Sequence, residues 1–297
     1  MPAERHVVVT ATRTPTPIEE VLASVVVIDR DEIERSLAGD AGDLLRFHAG
    51  LDIARTGGPG QTTSLFIRGA ESNHTLVMVD GVRINPGTIG QPGLQNLAPE
   101  LIERIEVVKG PRSALYGTDA IGGVVNVITR RGSLDGWSAQ LGYGDYDTRE
   151  ASVIGGVAGD AGSLDLGLSW IDSAGFPTRS DDTVDRGFDN LSLTMGGNAS
   201  VDAIDLTARL WHAEGNTEYS DFFLTTVDQD LDNSAASLKG AVATGDQGLL
   251  TVTAAYMKDE IRQNQSPDFL ETDRLTLDAQ QDWRANDQHS LSAGVQY

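Results

Sequence analysis

Two acidic segments carry the side chains best suited to bind a metal ion. "SDDTVD" covers Ser180–Asp185, and "SDFFLTTVDQDLD" covers Ser220–Asp232. Their carboxylates are hard oxygen ligands, which is the ligand type that calcium requires. A solvated acidic surface explains the same pattern equally well, so the residues alone leave both interpretations open.

Side-chain patterns typical of enzymes are missing from the sequence. There is no G-x-S-x-G motif, P-loop or H-E-x-x-H motif, and the chain has no cysteine. The histidines are scattered, at His6, His48, His74, His212 and His289. Abundant carboxylates do not by themselves make a general acid–base pair. We therefore expect no enzymatic activity and no required cofactor.

Negative charge is concentrated in the second part of the 297-residue chain. Residues 1–136 have a net charge of −4, whereas residues 137–297 have a net charge of −18. Nucleic-acid binding needs a basic face, so a nucleic-acid partner is excluded. Residues 1–16 lack the apolar segment of a signal peptide, and no apolar run approaches the ~20 residues of a membrane-spanning helix. Either the protein is not exported, or its signal peptide is absent from this sequence.

The first region has the pattern of a mixed α and β domain. "SVVVID" predicts a strand at Ser24–Asp29, and Asp29 or Asp31 can cap the short helix that follows. "DAGDLLRFHAG" predicts a second helix that ends at Gly50. The runs "SLFIRG", "TLVMVDGV" and "IERIEVVKG" predict further strands. A small sheet with two or three packed helices is expected over residues 18–131.

After Gly132, apolar and polar residues alternate with a period of two, as in "SLDLGLSW". Nine such segments lie between Trp137 and Tyr297, joined alternately by short turns and long acidic loops. In a soluble sandwich the apolar face packs on another sheet, whereas in an outer-membrane barrel it faces lipid. The loop pattern favours the barrel, as do the aromatic residues near strand ends, which are Trp137, Tyr143, Tyr146, Trp170, Trp211, Tyr256 and Trp283.

Two long motifs resemble a known family. "SLFIRGAESNHTLVMVDGVRIN" (Ser64–Asn85) and "GPRSALYGTDAIGGVVNVIT" (Gly110–Thr129) resemble the plug domain of TonB-dependent outer-membrane receptors, with wording similar to the cobalamin receptors. The resemblance implies an α+β plug domain inside a partial, about nine-stranded antiparallel transmembrane β-barrel. It divides the chain into a TonB box with a flexible N-terminal segment (1–17), the plug (18–132) and the first part of the barrel (133–297). The many glycines are then expected where plug loops lie close to the barrel wall.

The N-terminal motif "HVVVTATRTPTP" (His6–Pro17) resembles the TonB box, which the periplasmic protein TonB captures by strand addition. We expect Pro15 and Pro17 to keep this segment out of a buried regular element. An ordinary N-terminal edge strand is the alternative. The residues expected to bind TonB are Val7, Val8, Val9, Thr10 and Ala11.

The resemblance also implies that basic plug residues pair with acidic groups on the inner barrel wall and so act as an electrostatic latch. The matching positions are Arg68, Lys109 and Arg112, with Glu103 and Glu106 nearby. Lysine at position 109 lacks the bidentate geometry of the arginine that is frequent there in the family. Solvated surface charge is the alternative interpretation.

By the same resemblance, the substrate is expected to contact three plug loops: Gly57–Thr63, Ala70–His74 and Ile84–Gly93. These loops offer amides, hydroxyls and backbone groups with few charges, which suits a large neutral ligand with amide groups, such as a corrinoid. The residues expected to bind it are Asn85, Thr88, Ile89 and Gln91. Solvated turns are the alternative.

The resemblance to cobalamin receptors also implies structural Ca²⁺ in the extracellular loops. Arg186 departs from the family pattern, because another acidic residue is expected at its position. The candidate metal ligands are Asp181, Asp182, Asp185, Asp221, Asp230 and Asp232.

The whole pattern predicts a receptor in the bacterial outer membrane, in contact with lipid and lipopolysaccharide. Its partner would be TonB, and its activity would be the uptake of a scarce ligand, with cobalamin preferred over a ferric siderophore. Barrels that enclose a plug have about 22 strands, so we expect this sequence to be part of a longer receptor. A soluble all-β binding or adhesion protein is the alternative from another class.

Overall fold

The computed structural model describes residues 7–8, 10–14, 16–131, 136–286 and 289–297. Within these ranges an α+β domain precedes one large antiparallel sheet, and one face of that sheet packs on the domain. This architecture confirms the fold class expected from the sequence.

The N-terminal domain combines short strands with short helices. Its strands are β1 (Val7–Val8), β2 (Thr16–Pro17), β3 (Ser24–Ile28), β4 (Leu51–Arg55), β5 (Thr63–Ile67), β6 (Thr75–Val79), β7 (Val82–Arg83), β8 (Ile102–Lys109) and β9 (Gly123–Thr129). Its α-helices are α1 (Arg30–Ser36), α2 (Ala41–Leu45) and α3 (Ser113–Tyr116), and its 3-10 helices are Ile18–Glu20, Ser72–His74, Leu94–Asn96 and Pro99–Leu101. In the described ranges, no helix is long and apolar enough to cross a membrane.

Five of these strands form the main sheet of the domain, in the order β3-β8-β9-β6-β7. β6 and β9 run parallel, and the other neighbouring pairs run antiparallel. Two small ribbons, β1 with β2 and β4 with β5, lie outside this sheet.

The helices begin where the sequence predicts but are short. Asp29, rather than Asp31, caps α1 by accepting a hydrogen bond from a backbone N–H at 2.9 Å. α2 ends at Leu45 instead of continuing to Gly50, because the chain turns at His48 to enter β4.

Two glycines of the "GPRSALYGTDAIGG" segment have a local reason for their presence. Gly110 has a φ of +101°, which a residue with a side chain rarely adopts. A Cβ at Gly123 would lie 2.5 Å from the carbonyl oxygen of Val108 in the neighbouring strand. These two glycines therefore have reasons within the domain itself, which corrects the expectation for them, whereas Gly60 does lie against Phe188 of the large sheet.

The large sheet is a meander whose nine strands pair in chain order. They are β10 (Trp137–Tyr143), β11 (Arg149–Gly159), β12 (Gly162–Ser173), β13 (Phe188–Val201), β14 (Ile204–Ser220), β15 (Thr226–Ala243), β16 (Gly248–Gln263), β17 (Phe269–Asn286) and β18 (His289–Gln296). Every neighbouring pair is antiparallel. The nine alternating segments of the sequence are thus confirmed as nine strands.

The two faces of this sheet differ in polarity. On β12, Leu164 and Trp170 are exposed, whereas Asp165 and Ser169 on the opposite face are buried. Successive side chains of a strand point to opposite faces, so the polar face is the one that packs on the N-terminal domain. In the described part of the chain no second sheet covers the apolar face.

The hydrophobic core of the N-terminal domain continues onto the inner face of the large sheet. Trp211 is only 3% exposed. It lies two residues after inward-facing Arg209 on β14, so its side chain points to the same inner face. It is therefore a core residue in the middle of β14, which corrects its assignment to the aromatic residues near strand ends. The sheet contributes four members to this core: Trp211, Ala213, Ala235 and Met257.

Candidate functional site

A cavity of about 380 Å³ lies between the N-terminal domain and the long-loop ends of β14, β15 and β16. A volume of this size is within the range of small-molecule sites. Its lining is mainly neutral and polar, with Arg179 and Asp259 as the charged members. From the domain it includes Thr56, Gly60, Gln61, Thr62, Ile89, Gln91, Pro92, Gly93, Gln95 and Asn96. From the sheet and its loops it includes Thr178, Arg179, Thr217, Tyr219, Ser220, Gln229, Leu231, Asn233, Asp259 and Ile261.

The four residues predicted to bind substrate separate into three groups. Ile89 and Gln91 line the cavity, and the Gln91 amide donates a hydrogen bond to the hydroxyl of Ser64. Thr88 is exposed and lies outside the lining. Of the three loops expected to meet the ligand, Gly57–Thr63 and Ile84–Gly93 contribute to this cavity.

The buried side chain of Asn85 stabilises the loop Ile84–Gly93 through hydrogen bonds. It is 1% exposed, its Oδ1 accepts from the backbone N–H of Val77 at 2.8 Å, and its Nδ2 donates to the carbonyls of Thr75 and Gly90, both at 3.0 Å. All its hydrogen-bonding atoms are therefore occupied by backbone groups. This corrects the expectation that the Asn85 side chain contacts a ligand directly.

The sequence did not single out the most informative polar groups of the cavity. Four of its oxygens are buried and have no hydrogen-bond partner in the described chain: Gln95 Oε1, Asn96 Oδ1, Thr217 Oγ1 and Asp259 Oδ1. A buried polar atom without a partner is costly and calls for an explanation. The alternation of side chains along β14 and β16 could have placed Thr217 and Asp259 on the inner face. No sequence pattern marks Gln95 and Asn96, which lie on a 3-10 helix.

A chain of side-chain hydrogen bonds crosses from the domain to the sheet beside the cavity. Asn96 Nδ2 donates to Asn233 Oδ1 at 2.6 Å, and Asn233 Nδ2 donates to Asp259 Oδ2 at 2.7 Å. All three residues are at most 5% exposed. The cavity wall is therefore held by polar contacts made in a region of low local dielectric, where hydrogen bonds are strong.

The N-terminal segment is folded against the domain where the structure describes it. Val8, Thr10 and Ala11 are buried, whereas Val7 is exposed. This corrects the expectation that the prolines keep the segment out of a buried element: the segment folds back, and β2 at Pro17 pairs with β1. Val9, also predicted to bind TonB, lies outside the described residues.

Glu106 is the buried anchor of this segment. Its Oε2 accepts from the backbone N–H of Thr10 at 3.0 Å and from the Thr10 hydroxyl at 2.6 Å, while its Oε1 accepts from Arg104. The Tyr116 hydroxyl donates to the Thr10 carbonyl at 3.0 Å. Burial raises the pKa of Tyr116 to about 12, so this hydroxyl keeps its proton at neutral pH.

The three basic residues predicted to form a latch have mostly local contacts. Lys109 Nζ donates to the carbonyl of Ala49 at 2.8 Å, and Arg112 Nη1 donates to the carbonyl of Pro111 at 2.9 Å. Arg68 is exposed, with a φ of +52°. No ion pair links any of the three to the sheet within the described residues. An ion pair between Arg13 and Asp278 does join the N-terminal region to the sheet.

The six aspartates predicted to bind calcium do not gather into one ligand set. Asp182 pairs with Arg186 and Asp181 with Arg179, while Asp221 accepts two backbone N–H groups within its own turn. Asp230 accepts from Asn216, Asp232 pairs with Lys258, and Asp185 is exposed. No group of three or more metal-ligating side chains occurs in the described ranges. Calcium takes six to eight oxygen ligands, so this arrangement does not fit a calcium site.

Residues 17–124 match the family model described as the TonB-dependent Receptor Plug Domain. This part of the chain is therefore similar to the plug domain of that family. The match ends inside β9, and β10 of the large sheet begins at Trp137.

Solved structures confirm the arrangement of the plug domain and the sheet. The ferric preacinetobactin receptor BauA of Acinetobacter baumannii superposes with a TM-score of 0.78 at 15% identity, over 98% of this chain and 48% of that chain. The siderophore receptor PirA of the same organism gives 0.73 at 18% identity, over 92% of this chain and 47% of that chain. The ferric-catecholate import receptor Fiu of E. coli K12 gives 0.74 at 15% identity, over 94% and 47%. This chain therefore spans about half the length of the structures that it matches.

Proposed function

We propose that the chain belongs to a TonB-dependent receptor of the bacterial outer membrane that takes up a large metal chelate. The observation that carries this proposal is the cavity between the plug and the polar face of the sheet, with its four buried oxygens that have no partner among the described residues. A ligand with N–H or O–H groups would supply the missing hydrogen bonds.

The polarity of the cavity bears on the class of ligand. Most lining groups are amides, hydroxyls and backbone atoms, and the unpartnered oxygens are hydrogen-bond acceptors. This favours a neutral ligand fringed with amide N–H groups, and cobalamin is the ligand that the sequence resemblance suggests. Ile89 and Gln91, on the plug loop Ile84–Gly93, would contact such a ligand.

A ferric siderophore is the second candidate. BauA, PirA and Fiu are siderophore receptors or ferric-catecholate receptors by their descriptions, and their fold is shared. Arg179 at the cavity adds a cation that an anionic iron chelate could use, although its guanidinium already binds Asp181.

Uptake would proceed without covalent chemistry. The ligand is captured in the cavity, and TonB then pairs with the β-prone segment of Val7 to Ala11 by strand addition. Because Val8, Thr10 and Ala11 are buried, the segment must first leave its contacts with Glu106 and Tyr116. Pulling on the released segment would displace the plug and open a path along the sheet.

The apolar face of the sheet would meet the hydrocarbon of the outer membrane, with lipopolysaccharide around the loops. Exposed aliphatic and aromatic side chains recur on this face along successive strands. Alternation of an apolar outer face with a polar inner face is the pattern of outer-membrane strands. The basic plug residues Arg68, Lys109 and Arg112 stay candidates for a latch in this setting.

Equilibrium binding of cyanocobalamin and of a ferric catecholate to the purified receptor tests the proposal. Thr217→Val removes one unpartnered acceptor at nearly constant volume, and a lost hydrogen bond of ~0.5–1.5 kcal/mol weakens binding about two- to tenfold. Thr253→Val, a half-buried residue outside the cavity lining, is the matched control and should bind like the wild type.

The outcomes separate the ligand classes. Binding of the iron complex alone would replace cobalamin by a siderophore as the ligand. Failure of both compounds to bind, or equal affinities of the two variants, would contradict a ligand site in this cavity.

A further inference from the structure

Arg186 is the largest fully buried side chain in the described part of the protein. Its Nε donates to the hydroxyl of Ser220 at 2.8 Å, its Nη1 to the hydroxyl of Thr226, and its Nη2 to Asp182 Oδ2 at 2.6 Å. Nη2 also lies 3.5 Å from the carbonyl oxygen of Leu224. A guanidinium presents its donors in a fixed plane, so a single side chain can bind several segments at once.

These partners come from three separate parts of the chain. Asp182 belongs to the loop 174–187 between β12 and β13, Ser220 is the last residue of β14, and Thr226 is the first residue of β15. Leu224 lies in the turn 221–225 that joins β14 to β15. The guanidinium therefore sits at the junction of two outer loops.

Asp182 completes this junction. Besides Arg186, it binds the hydroxyl of Ser220, and its Oδ1 accepts from the backbone N–H of Val184 at 3.0 Å. These hydrogen bonds, led by the one from Ser220, hold the pKa of Asp182 well below its usual range. The carboxylate is therefore ionised beside the guanidinium at any pH near neutrality.

The same junction forms the rim of the cavity and contacts the plug. Thr178, Arg179 and Ser220 line the cavity. A Cβ at Gly60 of the plug would lie 2.0 Å from the ring of Phe188, which follows Arg186 closely in sequence. The plug loop thus lies so close to β13, the strand that follows loop 174–187, that a side chain at Gly60 would not fit.

We propose that Arg186 is a built-in cation that holds loop 174–187 and turn 221–225 together, so that the rim of the cavity is ordered without a bound divalent metal. Asp182 of the first acidic segment and Ser220, Leu224 and Thr226 of the second then bind an internal arginine rather than calcium. The role in shaping a ligand site rests on the proposed function, whereas the loop order itself does not.

Hydrogen–deuterium exchange on the purified receptor without ligand tests this inference. In the wild type, peptides covering 174–187 and 221–225 should exchange at the same rate in EDTA and in millimolar Ca²⁺. Arg186→Met should raise their exchange at least about tenfold, while peptides of β15 and β16 stay protected. Arg186→Lys keeps the charge without the planar fork, and its exchange should be intermediate.

Two further variants keep the result interpretable. Arg262→Met removes an arginine that is 63% exposed and paired with Glu260, and it should leave both peptides protected. If Arg186→Met fails to assemble, the double variant Arg186→Met with Asp182→Asn removes both buried charges and should assemble while exchanging fast.

Faster exchange of the wild-type loops in EDTA, or unchanged protection in Arg186→Met or the double variant, would overturn the inference. These readouts are made without any ligand. A receptor that binds neither cobalamin nor a siderophore would thus contradict the proposed function and leave this result standing.

Discussion

Arg13 Nη2 lies 2.8 Å from Asp278 Oδ2, so an ion pair joins the N-terminal segment to strand β17 of the sheet. The same guanidinium stands 5.7 Å from the centre of the Tyr116 ring. Both contacts flank the Thr10–Glu106 hydrogen bonds. The residues proposed to meet TonB are therefore restrained from two sides.

Arg13→Met should loosen this segment modestly. A partly exposed pair contributes up to ~1 kcal/mol, so the released population should rise up to about fivefold. The chain has no cysteine, so a nitroxide at Val7→Cys reports the mobility of the segment cleanly. Arg35→Met on α1 is the control and should leave the spectrum unchanged.

Glu106→Gln should release the segment further than Arg13→Met does. Glu106 is fully buried and accepts two hydrogen bonds from Thr10, and bonds to a charged group contribute ~1.5–3 kcal/mol. The same nitroxide should show a larger mobile fraction. An immobile spectrum in this variant would mean that Glu106 does not anchor the segment.

Trp211→Ala should destabilise the receptor far more than Trp283→Ala. Trp211 packs in the shared core of plug and sheet, and such truncations cost ~3–5 kcal/mol, whereas Trp283 is exposed on the apolar face. Denaturant unfolding in detergent measures the difference. Equal losses in the two variants would contradict the inward orientation of Trp211.

Order in loop 174–187 should depend on pH only in acid. The folded pKa of Asp182 is depressed, so its contribution to stability is fully present above the unfolded pKa of about 3.9 and is lost progressively as the pH falls from there through the folded pKa. A nitroxide at Thr183→Cys should stay immobile from pH 8 to pH 5, and its mobility should rise progressively as the pH falls below about 4. With Asp182→Asn added, this acid transition should disappear. A transition at pH 6 to 7 would point to a different group.

The large elements followed from the sequence because their signals are local. Alternation fixes a strand and its two faces together, as Leu164 and Asp165 show, and a side-chain cap marked the start of α1 at Asp29. The roles of Asn85 and Arg186 could not be obtained in this way. Each depends on partners that only the folded chain brings near, such as Thr75 for Asn85 and Ser220 for Arg186.

The burial of Val8 and Thr10 was missed for a related reason. β-prone residues before two prolines are typical of an exposed segment, but the pattern carries no information about the buried carboxylate of Glu106 that holds Thr10. Long-range polar contacts override such local preferences.

If one face of the nine-stranded sheet meets lipid and the other faces the N-terminal domain, as proposed, tryptophans on the two faces should differ in their access to lipid. The four tryptophans allow a direct test, because Trp137, Trp170 and Trp283 are exposed and Trp211 is buried. Single-tryptophan variants of the receptor in brominated lipid should show strong fluorescence quenching at the three exposed positions and little at Trp211. Quenching of Trp211 as strong as that of the other three, or no quenching at any of them, would contradict the lipid-facing orientation of the apolar face.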